Sequence, residues 1–108
     1  MAMTPERKVK RKVADYLRSI DAYFFYPATG GYGRSGVPDI VGCYKGKFFG
    51  IECKAGNNKP TELQTHELKQ IAKAGGIATV TNENTIHSLR YILNDFPEPD
   101  PNQLELDL

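Results

Sequence analysis

Two short apolar segments separated by only two residues constrain the fold of this chain more than any other feature. Residues 38–44 and 47–53 have the composition of strands, and Lys45-Gly46 lies between them. A two-residue connection that ends in glycine is typical of a tight β-hairpin. The spacing therefore predicts an antiparallel pair and fixes which residues of the two strands lie opposite each other.

The predicted hairpin brings three charged residues together at one end. Asp39 lies opposite Glu52, and opposed side chains share one face of the sheet with Cβ atoms about 5 Å apart. Lys54 follows Glu52 by two residues and falls on the same face, because side chains alternate along a strand. The opposite face supplies apolar core residues, namely Ile40, Phe49 and Ile51.

The rest of the chain predicts an α/β fold with a mixed β-sheet flanked by helices, in the order α-β-β-β-α-β-α. Thr4 and Pro5 begin a helix that ends near Asp21. The other expected elements are a strand at 23–26, the hairpin, a helix over 61–74, a strand over 77–81 and a helix over 83–93. In the second helix the expected buried positions are Leu63, Leu68, Ile71 and Ala72. The aromatic residues 23–26 are expected to contribute to the core and to a dimer interface.

Length and composition favour one domain over residues 1–96, followed by an acidic, proline-rich tail over 97–108. Cys43 and Cys53 are too few for a disulfide framework, so we expect both to be reduced core thiols. No apolar stretch is long enough to span a bilayer, and the polar start is not a secretory signal. We therefore expect a cytoplasmic protein.

The net charge of +1 hides an asymmetry between the two halves of the chain. Residues 1–60 carry 11 basic and 5 acidic side chains, whereas residues 61–108 carry 3 and 8. Five of the basic residues are close together: Arg7, Lys8, Lys10, Arg11 and Lys12. Two interpretations stay open, a surface that faces phosphate groups and a solvated helix face.

The paired carboxylates indicate a site for a divalent cation. Two carboxylates at this distance repel each other, and a bound cation removes the conflict. Mg²⁺ prefers oxygen ligands, uses one or two carboxylates and takes its other ligands from water and phosphate. Two roles for Lys54 stay open: neutralising charge on a phosphate, and orienting or deprotonating an attacking water. Together these groups suit the hydrolysis of a phosphodiester.

Three segments resemble a known family when taken in order: Gly36-Val37-Pro38-Asp39, then Ile51-Glu52-Cys53-Lys54, then Gln64 early in the next helix. They are similar to the PD-(D/E)xK nuclease superfamily, and within it to the VRR-NUC (virus-type replication–repair nuclease) domain in its stand-alone phage and bacterial form. The resemblance covers residues 4–93. It implies a restriction-endonuclease-like core, and a Mg²⁺- or Mn²⁺-dependent DNA endonuclease that acts as a homodimer on branched DNA such as Holliday junctions or flaps. A phage-encoded protein of this kind works in the bacterial host cytoplasm.

The same resemblance implies roles for individual residues. Asp39 and Glu52 would be metal ligands, assisted by the backbone carbonyl of Cys53, and Lys54 would be the catalytic base or the charge stabiliser. The alternative for the charged three is a surface ion cluster across the two strands.

Two further residues match positions of the family near the site. Gln64 matches a glutamine of the second helix, and its alternative is a solvated helix residue. Glu6 stands where related nucleases place an acid that joins the metal ligands. Its alternative is a first-turn residue that interacts favourably with the helix dipole.

Several polar residues beside the motif are candidates for contact with the DNA backbone. Residues 27–36 contain four glycines and are expected to form a mobile or tightly turned loop. The candidates are Tyr32, Arg34 and Ser35 in this loop, with Lys59 and Thr61 after the hairpin. Turn chemistry without DNA contact is the competing interpretation for all five.

The end of the chain carries a separate hypothesis. Residues Gln103–Leu108 resemble the short peptide by which bacterial repair proteins bind the DNA sliding clamp. A disordered acidic and apolar end is the simpler interpretation, and it is the one favoured here.

The sequence leaves three functions open for the whole chain. The first is a metal-dependent, structure-selective DNA endonuclease. The second is a non-catalytic DNA-binding or adaptor module that retains the nuclease fold, against which the intact Asp39, Glu52 and Lys54 set argues. The third is a sequence-specific restriction enzyme, for which the chain is too short to carry a recognition domain.

Overall fold

The computed structural model describes residues 3–28 and 33–94, which form one mixed sheet with helices on both faces. The order of elements confirms the predicted α/β fold. The elements are α1 (Pro5–Ser19), β1 (Tyr23–Phe25), β2 (Ile40–Tyr44), β3 (Lys47–Cys53), α2 (Glu62–Lys73), β4 (Ile77–Thr81), a 3₁₀ turn (Ile86–Ser88) and α3 (Leu89–Asn94).

The hairpin has the predicted register. Tyr44 pairs with Lys47, and the turn residues Lys45 and Gly46 both have positive φ, at 49° and 81°. These values are typical of the primed turns that join antiparallel strands. The four strands lie in the order β1-β2-β3-β4, with β1, β2 and β3 antiparallel and β4 parallel to β3.

One face of the sheet carries the main hydrophobic core. The predicted residues Ile40, Phe49 and Ile51 are fully buried there, together with the thiol of Cys53. The residues that cover them come from α1 and from the end of the chain's described part, namely Val9, Val13, Leu17, Leu89 and Leu93. Thr4 caps α1 as predicted, since its Oγ1 accepts a hydrogen bond of 3.2 Å from the amide of Arg7.

The other face is covered only in part. Helix α2 connects β3 to β4 and packs against both of them. Ile71 lies directly over Gly50, where an added Cβ would be 2.6 Å from the Ile71 Cδ1. On the same face Val41 of β2 is buried, whereas Cys43 of β2 and Tyr23 and Phe25 of β1 are exposed.

This incomplete cover explains why several expected core residues are exposed. Cys43 is exposed rather than a core thiol, and Tyr23 and Phe25 on the same face are also exposed. Tyr26, which follows β1, is exposed on the side of α1, where Lys10 lies over its ring. In α2, Leu63 is 58% exposed, although its backbone packs against Gly36, and Ala72 is exposed as well. The alternation of residues predicted which face each side chain occupies, but not which part of a face the helices cover.

Two helix boundaries differ from the prediction. Helix α1 ends at Ser19, because Asp21 adopts a left-handed φ of 59° and the amide of Ala22 donates back to the carbonyl of Leu17. The helix predicted over 83–93 begins only at residue 89, after a 3₁₀ turn. Asn82 accounts for the delay, since its Oδ1 accepts from the amide of Asn84 and ties the chain into a local turn.

Parts of the prediction fall outside the described residues. Tyr32 and the tail over 97–108, including Gln103–Leu108, belong to this group. Within the described residues, no helix combines the length and the apolar character needed to cross a membrane.

Gly42 provides a test of how closely β1 and β2 approach. A Cβ at this position would overlap the carbonyl oxygen of Tyr23 and lie 2.8 Å from the Cα of Phe24. We expect Gly42→Ala to lower the free energy of unfolding by about 3 kcal/mol, measured by urea denaturation. Lys69→Ala is the control, and because Lys69 is an exposed residue of α2 it should change stability by less than about 0.5 kcal/mol. Equal stability of both variants would contradict the β1–β2 pairing.

Candidate active site

Asp39 and Glu52 are held by reciprocal hydrogen bonds across the end of the hairpin. The amide of Asp39 donates to Oε1 of Glu52 at 3.2 Å, and the amide of Cys53 donates to Oδ2 of Asp39 at 2.9 Å. Each carboxylate therefore accepts from the backbone of the opposite strand segment. The two carboxylates are brought together as the sequence predicted, and their positions are fixed by the same backbone that sets the register.

Lys54 completes the group. Its Nζ lies 3.4 Å from Oε2 of Glu52 and 3.7 Å from Oε1 of Glu6, and its side chain is only 13% exposed. Its amide donates to the carbonyl of Thr81 at 2.9 Å, which extends the pairing of β3 with β4 by one residue. Lys54 thus joins the end of β3 to the first turn of α1.

Burial makes the charge state of Glu52 costly. Glu52 is 2% exposed, and its burial, together with the adjacent charge of Asp39, raises its pKa to about 7. The ammonium of Lys54 acts in the opposite direction but does not compensate fully. A further positive charge would therefore stabilise the ionised form of Glu52 near neutral pH.

The thiol of Cys53 is excluded from the chemistry of the site. It lies in the hydrophobic core, and burial, with the nearby charges of Asp39 and Glu52, raises its pKa to about 12. A protonated thiol is a poor metal ligand and a poor nucleophile. What Cys53 offers to the site is its backbone, whose amide already holds Asp39.

The donor atoms fit a hard divalent cation. In residues 3–28 and 33–94, no group of three or more His, Cys, Asp and Glu side chains is placed to hold a metal ion. Mg²⁺ does not require such a group, because it commonly binds one or two carboxylates and completes its ligands with water and phosphate oxygens. Asp39 and Glu52 supply two carboxylates, and the raised pKa of Glu52 indicates charge that a cation would neutralise.

Glu6 does reach the site, through Lys54. It lies in the first turn of α1, its side chain is 51% exposed, and its described contact is the 3.7 Å ion pair with Lys54. Both interpretations of Glu6 therefore have a structural basis, since the residue stands in the first turn of a helix and beside the paired carboxylates.

Gln64 and Thr61 form the start of α2. Oγ1 of Thr61 accepts from the amide of Gln64 at 3.2 Å, and Oε1 of Gln64 accepts from the amide of Thr61 at 2.8 Å. This is a complete capping box, which confirms Thr61 as the N-cap. The carboxamide of Gln64 retains its NH₂ group as a donor, so its role at the site stays a prediction.

The other candidate DNA contacts lie on the surface. Nη2 of Arg34 pairs with Oε2 of Glu67 at 3.0 Å, which ties the glycine-rich loop to α2, although Arg34 itself is 73% exposed. Ser35 and Lys59 are exposed as well. Their contact with DNA stays a prediction, as does that of Thr61.

The contact that holds the loop after Lys54 was not predicted from the sequence. We call this hydrogen-bonded contact of Gly56 with Glu83 the clasp. The amide of Gly56 donates to both carboxylate oxygens of Glu83, at 2.8 and 3.0 Å, and these bonds lower the pKa of Glu83. Nδ2 of Asn82 donates to the carbonyl of Gly56 at 3.2 Å. The partners are 27 residues apart, so no local pattern announces the contact. Gly56 has a positive φ of 57°, and the glycine at this position is the one sequence signal for the turn that makes the contact.

Comparison with known proteins identifies the family. The model of the archaeal Holliday junction resolvase (Hjc) family matches residues 6–81, the stretch from Glu6 through the hairpin to the end of β4. The chain belongs to this family.

A relative and a solved structure agree with the family assignment. The chain is 30% identical over 97 residues to "Putative nuclease p44" of Acyrthosiphon pisum secondary endosymbiont phage 1, a match that spans 87% of this chain and 100% of that protein. It also shares its fold with the solved structure of a "VRR_NUC domain protein", with a TM-score of 0.64 and 20% identity over 86% of this chain and 91% of the other. The predicted resemblance to the VRR-NUC group is thereby confirmed at the level of the fold, and the family model places the chain in a nuclease family.

The raised pKa of Glu52 predicts how the stability of the metal-free protein depends on pH. The folded protein binds this proton more tightly than the unfolded chain, so stability should fall as pH rises from about 4.5 to about 7. The loss is on the order of 3 kcal/mol. Glu52→Gln cannot ionise and should lack this component in urea denaturation with chelator present.

Glu62→Gln is the matched control, because Glu62 is an exposed glutamate of the first turn of α2. It should retain the pH dependence of the wild type. An unchanged pH dependence in Glu52→Gln would contradict the assignment of the raised pKa to Glu52.

Proposed function

We propose that this protein is a divalent-metal-dependent, structure-selective endonuclease that hydrolyses phosphodiester bonds in branched DNA, as a homodimer. The observation that carries the proposal is the Asp39–Glu52 pair, held by reciprocal backbone hydrogen bonds with Lys54 against it. This group lies in a chain of the Holliday junction resolvase family, whose name supplies the substrate class proposed here.

Asp39, Glu52 and the carbonyl of Cys53 would hold Mg²⁺ or Mn²⁺, which when bound polarises the phosphate and lowers the pKa of a coordinated water. The backbone hydrogen bonds to both carboxylates restrict their rotamers before a cation binds. Pre-organised ligands of this kind reduce the cost of assembling the site on substrate.

Lys54 acts as a fixed positive charge beside the scissile phosphate. Glu52 and Glu6 pair with its ammonium from two sides, so the group is held in place rather than swinging in solvent. A positioned cation stabilises the negative charge that builds up on the phosphate oxygens in the transition state. This arrangement favours charge stabilisation over proton abstraction among the two roles of Lys54.

A homodimer would cover the exposed aromatic surface on the open half of the sheet. We call this surface the aromatic patch, and it consists of Tyr23, Phe25, Cys43 and Phe48. The register aligns Tyr23 with Cys43 and Cys43 with Phe48, so these side chains share one face across three strands. Exposed aromatic surface of this kind is typical of protein interfaces. Two copies joined here would present two active sites to one branched substrate.

Cleavage assays test the proposed activity. Labelled four-way junctions, flaps and linear duplexes are the substrates. Wild-type protein should cut the two branched substrates in preference to the linear duplex when Mg²⁺ or Mn²⁺ is present, and it should cut no substrate in the presence of chelator. Lys54→Ala should fold and bind DNA but cut at least about 100-fold more slowly, because it lacks the stabilising charge.

Lys73→Ala is the control, since Lys73 is an exposed lysine in the last turn of α2 and removes the same charge. It should cut like the wild type. Equal cutting by Lys54→Ala would remove Lys54 from the mechanism. DNA binding without cleavage under any metal condition would instead favour the non-catalytic DNA-binding module.

A matched pair of tyrosines tests the dimer. Tyr23 in the aromatic patch is 71% exposed, and Tyr91 in α3 is 69% exposed. Tyr23→Asp should shift the protein from dimer to monomer in size-exclusion chromatography with light scattering, because it places a charge in the interface. Tyr91→Asp should leave the mass unchanged. A monomeric wild type, or a dimeric Tyr23→Asp, would refute the patch as the dimer surface.

A further inference from the structure

A basic groove runs along α1, on the side of the helix where Arg18 contacts Phe24 of β1. It has a volume of about 500 Å³. We call it the α1 groove, and its lining residues are Met3, Arg7, Lys10, Arg11, Ala14, Asp15, Arg18 and Tyr26. Four of these side chains are basic and one is acidic, so the groove is strongly positive although the whole chain is nearly neutral.

The spacing of the basic residues matches an extended anion better than a small one. Lys10, Arg11 and Arg18 follow Arg7 by three, four and eleven residues, which places the four on one side of a helix. With a rise of 1.5 Å per residue, the line from Arg7 to Arg18 is about 16 Å long. That length corresponds to about five base-pair steps of 3.4 Å along a DNA strand.

Two aromatic rings of the neighbouring segment hold basic side chains in place. The Nζ of Lys10 lies 4.7 Å from the ring centre of Tyr26, and the Cζ of Arg18 lies 5.4 Å from that of Phe24. Arg18 also pairs with Asp15 at 3.2 Å. These contacts restrict long side chains before any ligand arrives, which lowers the entropy that binding would otherwise cost.

The groove begins next to the candidate active site. Arg7 follows Glu6 directly, and Glu6 contacts Lys54. Lys10 lies one helical turn beyond Glu6. The bodies of these turns are anchored to the site's own strand, because Val9 and Val13 share the core with Cys53. The turns of α1 that carry the groove are therefore packed against the strand that carries Glu52 and linked to Lys54 through Glu6.

The opposite side of α1 has a different character. Lys8 and Lys12 line a smaller cleft with Pro5, Val9 and the carboxylate of Glu83. There the basic charge faces an acid. The five basic residues of 7–12 are thus not one uniform solvated face, since Arg7, Lys10 and Arg11 belong to the groove and Lys8 and Lys12 do not.

We propose that the α1 groove binds the phosphate backbone of duplex DNA and holds the arm that lies on one side of the cut bond. The choice of DNA as the ligand rests on the proposed nuclease function, whereas the position of the arm and the residues that hold it are inferred from the groove. Phosphate contacts of this type position the duplex without reading its sequence, which suits an enzyme selective for branch structure.

Binding measured without cleavage tests the groove. Fluorescence anisotropy of a labelled junction in chelator compares two double variants, Arg7→Gln/Arg11→Gln and Lys8→Gln/Lys12→Gln. Both remove two exposed positive charges from α1 at the same spacing, so they match in net charge. Circular dichroism and melting temperature check that both helices form.

The groove variant should bind at least about ten-fold more weakly at 0.1 M salt, and its dependence of log Kd on log salt should be about two units shallower. The control should change affinity by less than about three-fold. Equal weakening by both variants would overturn the proposal, because charge alone would then explain binding. Unchanged binding by the groove variant would overturn it as well.

Tyr26 tests whether the ring organises the groove. Tyr26→Phe keeps a ring under Lys10 and should retain wild-type affinity, whereas Tyr26→Ala should weaken binding by about three-fold or more. Equal loss in both variants would overturn the role of the ring.

Failure of this proposal is distinguishable from failure of the nuclease function. If the groove variants bind like wild type while the wild type cuts junctions, the groove is refuted and the activity stands. If the wild type binds DNA through the groove but never cuts it with metal, the groove stands and the activity is refuted.

Discussion

The register of one hairpin is the constraint on which the rest of the structure depends. The turn at Lys45-Gly46 sets Ile40 opposite Ile51, and the next pair along the ladder is Asp39 and Glu52. A slip of one residue would exchange the two faces, exposing the buried Ile40, Phe49 and Ile51 and moving the carboxylates into the apolar core. The folding free energy of the core and the geometry of the site are therefore secured by the same backbone hydrogen bonds.

The site lowers the stability of the folded protein, and the proposed function explains why such a site is present. A carboxylate as buried as Glu52, beside a second one, is destabilising when both are charged, and Lys54 offsets only part of that cost. A purely structural role would be served as well by an uncharged pair. Two carboxylates that Lys54 neutralises only in part would instead gain free energy from the proposed divalent cation and from the phosphate bound to it.

Sequence patterns predicted local pairings well and long-range cover poorly. The turn, the caps at Thr4 and Thr61, and the grouping of Asp39, Glu52 and Lys54 follow from residues a few positions apart or from alternation along a strand. The exposure of Cys43 and Leu63 depends on where α2 rests on the sheet, which no local pattern fixes. The clasp between Gly56 and Glu83 joins distant segments and was invisible for the same reason.

The two faces of strand β1 belong to two different proposed surfaces, the aromatic patch and the α1 groove. Alternation places Tyr23 and Phe25 on the face away from α1, in the aromatic patch, and Phe24 on the face toward α1, beside the basic groove. One three-residue strand thus contributes apolar surface to the proposed dimer contact and a ring beside Arg18 to the proposed DNA groove. Because β1 pairs with β2, whose first residue follows Asp39, a substrate arm in the groove and a second subunit on the patch would both be positioned relative to the same pair of carboxylates. The proposed dimer would give a small chain selectivity for branch geometry without a separate recognition domain, since two rigidly joined copies would bind two DNA arms only at one relative angle.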